Sequence, residues 1–333
     1  MRTLLYLATF GLAFGQPLAA MQRERPVEPE EFVCPTADPD VAAPEIELPV
    51  QDYDPAPAMW KIADEDTTIY LFGTYHVLPE GFRWRTPLLD RIIQETDEVV
   101  FESRDDEEPS PGDPIDPDQL RFMALMAEYE AEVPLSQRIS ERNRPKLVKL
   151  LKDAGIPLSR ADYLPPMMTM FGIAVAMYDA AGSQSSLGVE TVIEKEYRAN
   201  NRPISAIEDP IQVMENLFKI DEDLLITSIE EGLDEWDGCD FIDFEEMNWE
   251  GEHAWAQGKL EGDLMKDMFD DPFSKVFYEV LLVDRNREWN EWVKDRMTRP
   301  GNLLLAVGAG HMEGPDSLVL MLEADNVSVE RIQ

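Results

Sequence analysis

Apolar and polar residues follow two different periods along this chain, and each change of period marks a predicted element. The run "TIYLFG" (68–73) is apolar and partly β-branched, which predicts a buried strand. The run "TPLLDRIIQET" (86–96) has apolar residues at helical spacing, with Thr86 as a candidate N-cap and Pro87 at the first helical position. "DEVVFES" (97–103) predicts a second buried strand. A strand, a helix and a strand in this order predict parallel strands.

The same order of patterns returns at the other end of the chain. "NLLLAVG" (302–308) predicts a strand, "PDSLVLMLEAD" (315–325) a helix and "NVSVERI" (326–332) a last strand. Between the two ends, residues 120–182 have helical spacing, and "PISAIE" (203–208) predicts a further strand. We therefore predict an α/β fold with a mixed, largely parallel central sheet flanked by helices. A weak strand–GxxH–helix–strand repeat stands at its two ends, with helical insertions between them.

The composition predicts three segments. Residues 1–20 combine one Arg, an apolar stretch and small residues, which is typical of an export signal. Residues 21–58 are rich in Pro, Glu and Asp and predict an extended arm, and residues 59–333 carry the α/β domain. No later segment is long and apolar enough to predict a membrane span. We expect a periplasmic or secreted protein.

The charge of the chain bears on its binding partners, and its cysteines bear on its compartment. The chain has 68 Asp and Glu against 29 Lys and Arg, a formal net charge of −39. Such a surface repels phosphate backbones, so we expect no nucleic-acid partner. Cys34 and Cys239 suit an oxidising compartment, either as one disulfide or as one exposed and one buried thiol. The sequence predicts no particular oligomeric state.

Four predicted strands run into a histidine or a glutamate. His76 and His311 each complete a G-x-x-H motif after an apolar strand, and Glu102 and Glu208 end the other two strands. In parallel α/β sheets, ligands bind at the carboxyl ends of the strands. Because the chain has only three histidines, two such motifs after two strands exceed what chance supplies. We predict that the four side chains converge at one edge of the sheet.

Two imidazoles and two carboxylates support two kinds of chemistry. Two neutral imidazoles and a carboxylate can hold a divalent ion, here Mn, Co or Zn, that activates a bound water. A second glutamate then serves as general base or orients a histidine. Alternatively, a His–Glu pair activates water without a metal. His253 lies mid-helix among acids and is interpreted as a surface or packing residue, and Arg285 as part of a solvated helix face unless that helix covers the sheet edge.

Several longer stretches resemble the TraB/PrgY/GumN/Tiki family, in particular its bacterial GumN-like branch. The resemblance covers residues 59–333. It rests on "WKIADEDTTIYLFGTYHVLPEGFRW", "DEVVFES", "SLGVETVIEKEYRANNRPISAIED", "AWAQGKLEGDL", "DRNREWNEW" and "AVGAGHMEG".

The resemblance implies a metal-dependent hydrolase, since Tiki-like relatives act as proteases on peptides with manganese- or cobalt-type ions. Carried onto this chain, it implies metal ligands at His76, His311, Glu102 and Glu208. It implies catalytic roles for Glu102, Glu208, Glu190 in "GVET" and Arg285 in "DRNREW", where the arginine would steady a developing oxyanion or a substrate carboxylate.

Four hypotheses follow, of which the last, suggested only by the GumN resemblance, is a structural role in envelope or polysaccharide biology. The first is an exported metal-dependent hydrolase, a peptidase, acting on a peptide or small-molecule substrate. The second is a metal-free, esterase-like hydrolase that uses His and Glu. The third is an envelope protein that binds a peptide or a haem-like ligand without chemistry.

Overall fold

A computed structural model describes residues 32, 34, 50–103, 116–129, 131–241, 249–260 and 271–333. The strands are β1 Met59–Ala63, β2 Thr67–Thr74, β3 Leu78–Pro79, β4 Glu98–Phe101, β5 Ser183–Gln184, β6 Ile204–Ala206, β7 Gly301–Gly308 and β8 Glu330–Arg331. The α-helices are α1 Pro87–Glu95, α2 Pro117–Glu128, α3 Leu135–Arg138, α4 Arg144–Asp153, α5 Leu158–Ala161, α6 Pro166–Ala180, α7 Val189–Ala199, α8 Pro210–Leu217, α9 Glu222–Glu235, α10 Glu250–Ala256, α11 Pro272–Tyr278, α12 Asp284–Arg296 and α13 Leu318–Ala324. Short 3₁₀ segments occur at Ser185–Leu187 and Ala309–Met312, and a π-helical turn at Glu279–Val283.

These residues form two compact units. A sheet unit contains the described residues of 47–104, 182–216 and 247–333, and a helical unit contains those of 1–46, 105–181 and 217–246. The export signal predicted over 1–20 lies outside the described residues, as does most of the predicted arm. The predicted boundaries of signal, arm and α/β domain stay predictions.

The sheet unit contains one six-stranded sheet in the order β6-β4-β7-β2-β1-β8. The strands β6, β4, β7 and β2 are parallel neighbours, whereas β1 is antiparallel to both β2 and β8. This confirms the mixed, largely parallel α/β fold, although β1 was not predicted and β8 is shorter than its sequence pattern. The proposed repeat stays a prediction. A separate two-stranded ribbon pairs β3 with β5.

Successive strand residues supply two cores, one on each face of the sheet. In β7, Leu304 and Ala306 join one core, and Leu303, Leu305 and Val307 join the other. The first core is covered by α1 and α7 and the second by α12 and α13. Side chains of a strand alternate between faces, so an unbroken apolar run is what a strand covered on both sides requires.

Helix α1 begins as its sequence pattern predicts. The hydroxyl oxygen of Thr86 accepts a hydrogen bond from the backbone N–H of Leu89 at 3.1 Å, and Pro87 occupies the first helical position. Leu89, Ile92 and Ile93 are buried against the sheet. Each such side chain contributes about 1.5–3 kcal/mol of burial free energy.

In the helical unit, Cys34 and Cys239 form a disulfide with a Cα–Cα distance of 4.9 Å. Of the two alternatives left open by the sequence, the structure therefore has the bridged one. Gly238 adopts a φ of 83° next to Phe32, and a Cβ at this glycine would collide with the phenyl ring. Within the residues that the structure describes, no helix combines the length and apolar character needed to cross a membrane.

Candidate functional site

The four side chains predicted to meet at one edge do so in the sheet unit. His76 follows β2, Glu102 follows β4, Glu208 follows β6, and His311 lies in the 3₁₀ turn after β7. Thr74, the last residue of β2, pairs with Gly308, the last residue of β7. Because the four strands are adjacent and parallel, their carboxyl ends bring both imidazoles and both carboxylates together.

Gly308 lies at the centre of this group. A Cβ placed on it would lie 2.9 Å from Glu102 Oε1, 3.6 Å from His76 Nε2 and 3.7 Å from His311 Cδ2. The backbone N–H of Gly308 donates to Glu102 Oε1 at 2.6 Å. A side chain at this position would displace the glutamate, so the close approach of the three groups requires glycine.

The Arg285 guanidinium lies between the two carboxylates and has an acceptor for each of its five N–H groups. Nε and Nη2 bind both oxygens of Glu208 at 2.8 and 2.5 Å, and Nη2 also binds Glu102 Oε2 at 2.5 Å. Nη1 donates to the carbonyl of Leu281 at 2.9 Å and contacts His311 Nε2 at 3.1 Å. The Arg285 side chain is only 5% exposed. Helix α12 therefore covers the sheet edge, and Arg285 is not part of a solvated face.

Buried charge sets the ionisation of both acids. Burial raises the pKa of Glu102, but Arg285 and then the neighbouring histidines and the Gly308 N–H lower it to about 2. Burial raises the pKa of Glu208 above its ordinary value, against the opposing charge of Arg285. The fork between Arg285 and Glu208 is the bidentate geometry that binds a carboxylate most strongly.

Trp289 and Asn286, which were not among the predicted site residues, complete the buried end of the site. The Trp289 indole donates to Glu208 Oε2 at 3.1 Å, and its ring lies 4.1 Å from that of His311. Asn286 Oδ1 lies 2.7 Å from His311 Nδ1. Both residues lie in the stretch "DRNREWNEW" that carries the family resemblance, and Trp289 is four residues from Arg285 on the same helical face.

The surroundings of His311 favour the neutral imidazole. Its side chain is 5% exposed. Burial and then the charge of Arg285 lower the pKa of His311 to about 3, although Glu102 acts in the opposite direction.

His76 has the opposite character. Its Nδ1 lies 2.8 Å from Glu190 Oε1, the oxygen to which the Thr74 hydroxyl also donates. Burial lowers the pKa of His76, but the charge and hydrogen bond of Glu190 outweigh it and raise the pKa to about 9. The His76 and Glu190 side chains are 16% and 18% exposed, so solvent reaches the site from this end.

The position of Glu190 depends on the start of α7. Gly188 precedes the helix, and a Cβ on it would collide with the carbonyl oxygen of His76. Val189 N–H donates to the carbonyl of Tyr75 at 2.9 Å. The first turn of α7 is thereby fixed against the loop that carries His76, which brings Glu190 to the imidazole.

His253 lies apart from this group, as predicted. Its Nδ1 is 2.7 Å from the Tyr53 hydroxyl, and its ring packs edge-on against Tyr53 and Phe82.

Comparison with known proteins adds one decisive finding. The sequence model of the TraB/PrgY/gumN family matches residues 58–331. The chain belongs to the TraB/PrgY/gumN family. No curated protein and no solved structure matches it. The family match does not distinguish branches, so the GumN-like branch stays a prediction.

In this TraB/PrgY/gumN protein the predicted metal ligands are already bound to other groups. A divalent ion needs lone pairs on both imidazoles and a carboxylate. Here His311 Nε2 and both Glu208 oxygens face N–H groups of Arg285, and Glu102 accepts from Arg285 and Gly308. Across the described ranges, no group of three or more His, Cys, Asp or Glu is arranged to hold a metal ion. The predicted four-ligand set does not fit a metal in this arrangement.

Proposed function

We propose that this protein is an exported hydrolase that cleaves peptides with a water activated between His76 and Glu190. The observation that carries the proposal is the contact of His76 with Glu190, whose side chains are 16% and 18% exposed. Thr74 and His76 both bind Glu190 Oε1, whereas Glu190 Oε2 is buried with no hydrogen-bond partner among the described residues. An imidazolium and a carboxylate oxygen with free lone pairs supply one acid and one base side by side.

The two groups divide the proton transfers of hydrolysis between them. The Glu190 carboxylate takes a proton from water as the water oxygen bonds to the carbonyl carbon. His76 Nε2 gives a proton to the leaving nitrogen as the carbon–nitrogen bond breaks. Both groups then return to their starting protonation by exchange with solvent. A peptide as substrate and an exported location follow from the family resemblance and from the predicted signal over residues 1–20.

In this proposal a buried ion-pair network supports the reacting pair without taking part in proton transfer. It consists of Arg285, Glu102 and Glu208. The charge of Glu102 raises the pKa of His76, which favours the acid form. Arg285 holds Glu102 and Glu208 in place. The oxyanion role that the resemblance implies for Arg285 would require it to release one of its five acceptors.

A metal-dependent form of the same hydrolase is the second candidate. His76 Nδ1 is paired with Glu190 and His311 Nδ1 with Asn286, so each histidine has an oxygen acceptor on one nitrogen. This is the arrangement that orients metal-bound histidines in other proteins. A manganese, cobalt or zinc ion at the two Nε2 atoms would require Arg285 to release His311.

One experiment separates the two candidates. The mature chain is purified without chelator, and its metal content and peptide-cleaving activity are measured beside His76→Ala and His311→Ala. Cleavage that persists in metal-free buffer and is lost in His76→Ala supports the proposal. About one equivalent of metal, lost in both variants, supports the second candidate instead. Tight peptide binding without any cleavage contradicts both and favours a binding protein.

A further inference from the structure

The amide of Asn286 has only one orientation that satisfies its neighbours. The side chain is fully buried. Its Nδ2 lies 2.8 Å from the carbonyl oxygen of Asp316 and 3.4 Å from that of His311. Carbonyl oxygens only accept hydrogen bonds, so the NH₂ group must face them. Oδ1 is therefore the atom that faces His311 Nδ1 at 2.7 Å.

Two independent neighbours then assign the same state to the His311 ring. The Asn286 Oδ1 atom can only accept, so His311 Nδ1 must carry a hydrogen. The Arg285 Nη1 group, 3.1 Å away, can only donate, so His311 Nε2 must carry a lone pair. An imidazolium would point an N–H at the guanidinium, and the other neutral tautomer would leave both contacts without a hydrogen bond.

We propose that Asn286 is a positioning residue that holds His311 as the neutral Nδ1–H tautomer. His311 thereby provides the fifth acceptor of Arg285, and Arg285 in turn holds Glu102 beneath His76. The Trp289 ring, 4.1 Å from the imidazole, fixes its plane. The tautomer follows from these contacts alone, whereas its effect on turnover rests on the proposed hydrolase function.

The tautomer can be measured in the wild-type protein without any substrate. The chain has three histidines, so selective ¹⁵N-histidine labelling gives three side-chain signals in a long-range ¹H–¹⁵N spectrum. The signal that disappears in His311→Gln belongs to His311. We expect it to be neutral with the hydrogen on Nδ1 between about pH 5 and 8. An Nε2–H tautomer or an imidazolium in this range would overturn the proposal.

A matched pair of variants tests whether Asn286 is the cause. Asn286→Leu removes the acceptor of His311 Nδ1. Asn290→Leu removes a buried amide one turn along α12, where it donates to Asp325 at 2.8 Å. We expect the Nδ1–H signature to be lost only in Asn286→Leu. A folded Asn286→Leu that keeps the wild-type signature would contradict the proposal.

Activity provides a second readout. Asn286→Leu should lower kcat about tenfold or more with little change in KM, because a wrong histidine tautomer disturbs the reacting groups more than substrate binding. Asn290→Leu should keep its activity. If wild type shows the Nδ1–H tautomer but no hydrolysis, the proposed function fails while the assignment to Asn286 stands. Equal activity of the two leucine variants would limit Asn286 to a structural role.

Discussion

The two G-x-x-H motifs have the same sequence pattern and follow neighbouring parallel strands, yet the surroundings of their histidines shift the two pKa values in opposite directions. His76 is paired with the carboxylate of Glu190 and is partly open to solvent, and its pKa is raised to about 9. His311 is paired with the amide of Asn286 and lies against Arg285, and its pKa is lowered to about 3. The motif therefore predicts where an imidazole lies. The protonation of that imidazole is decided by the helical residue that pairs with it, Glu190 for His76 and Asn286 for His311.

The largest expected effect is on kcat and concerns the partly exposed end of the site, where Glu190 pairs with His76. Glu190→Gln removes both the proposed base and the charge that keeps His76 protonated. We expect kcat for peptide cleavage to fall about 10²- to 10⁴-fold, the range for loss of general acid–base catalysis. Steady-state kinetics on the folded variant measures it.

Glu194→Gln is the control for this change. Glu194 lies one turn further along α7 and is bound to Arg198 at 2.7 Å. Its loss should leave kcat unchanged. Full activity in Glu190→Gln would remove the proposed mechanism.

The second effect is a loss of stability and concerns the buried end of the site, where Arg285 binds two glutamates. Arg285→Met removes the guanidinium that binds both buried carboxylates, Glu102 and Glu208, which should lower the free energy of unfolding by about 3–5 kcal/mol. Urea denaturation followed by tryptophan fluorescence measures it. Arg287→Met, two residues along the same helix, removes an exposed ion-pairing arginine and should leave the stability nearly unchanged. Equal losses of unfolding free energy in the two variants would contradict the stabilising role assigned to the buried ion pairs of Arg285.

The sheet edge could be predicted from the sequence, but the charge of the site could not. Apolar runs that end in His or Glu indicate buried parallel strands, and the geometry of such sheets brings their ends together. Asn286 and Trp289 lie on a helix whose packing is decided by tertiary contacts, so local pattern does not connect them to His311. Glu190 is an acid in a helix's first turn, a common feature that only the family resemblance singled out. The disulfide was one of two alternatives, because spacing alone does not bring two cysteines within bonding distance.

The pH dependence of stability should separate the two histidines. The pKa of His76 is raised from 6.5 to about 9 on folding, so its contribution is fully present below pH 6.5 and is lost as pH rises towards 9. We expect a loss of about 2–3 kcal/mol over this interval. The pKa of His311 is lowered to about 3, so its effect is opposite and stability falls as pH decreases from 6.5.

Unfolding free energies measured against pH in wild type, His76→Gln and His311→Gln check both signs. The loss of stability at alkaline pH should be absent only in His76→Gln. The loss of stability at acid pH should be smaller only in His311→Gln. Identical pH profiles for the two variants would contradict the different charge states assigned to the two motifs.

The smallest effect concerns Thr74, whose hydroxyl donates to the Glu190 oxygen that also faces His76. Thr74→Val keeps the shape of the side chain but removes this hydrogen bond, which should lower stability by about 1 kcal/mol. Thr67→Val is the matched change at the start of the same strand, where the hydroxyl donates to the carbonyl of Arg299 at 3.0 Å. Both valine variants should lose similar stability, but only Thr74→Val should lower kcat. Thr74→Ser keeps the hydroxyl and should therefore keep the wild-type kcat. If both variants keep wild-type kcat, the orientation of Glu190 does not depend on Thr74, and Gly188 and the first turn of α7 are sufficient to hold it.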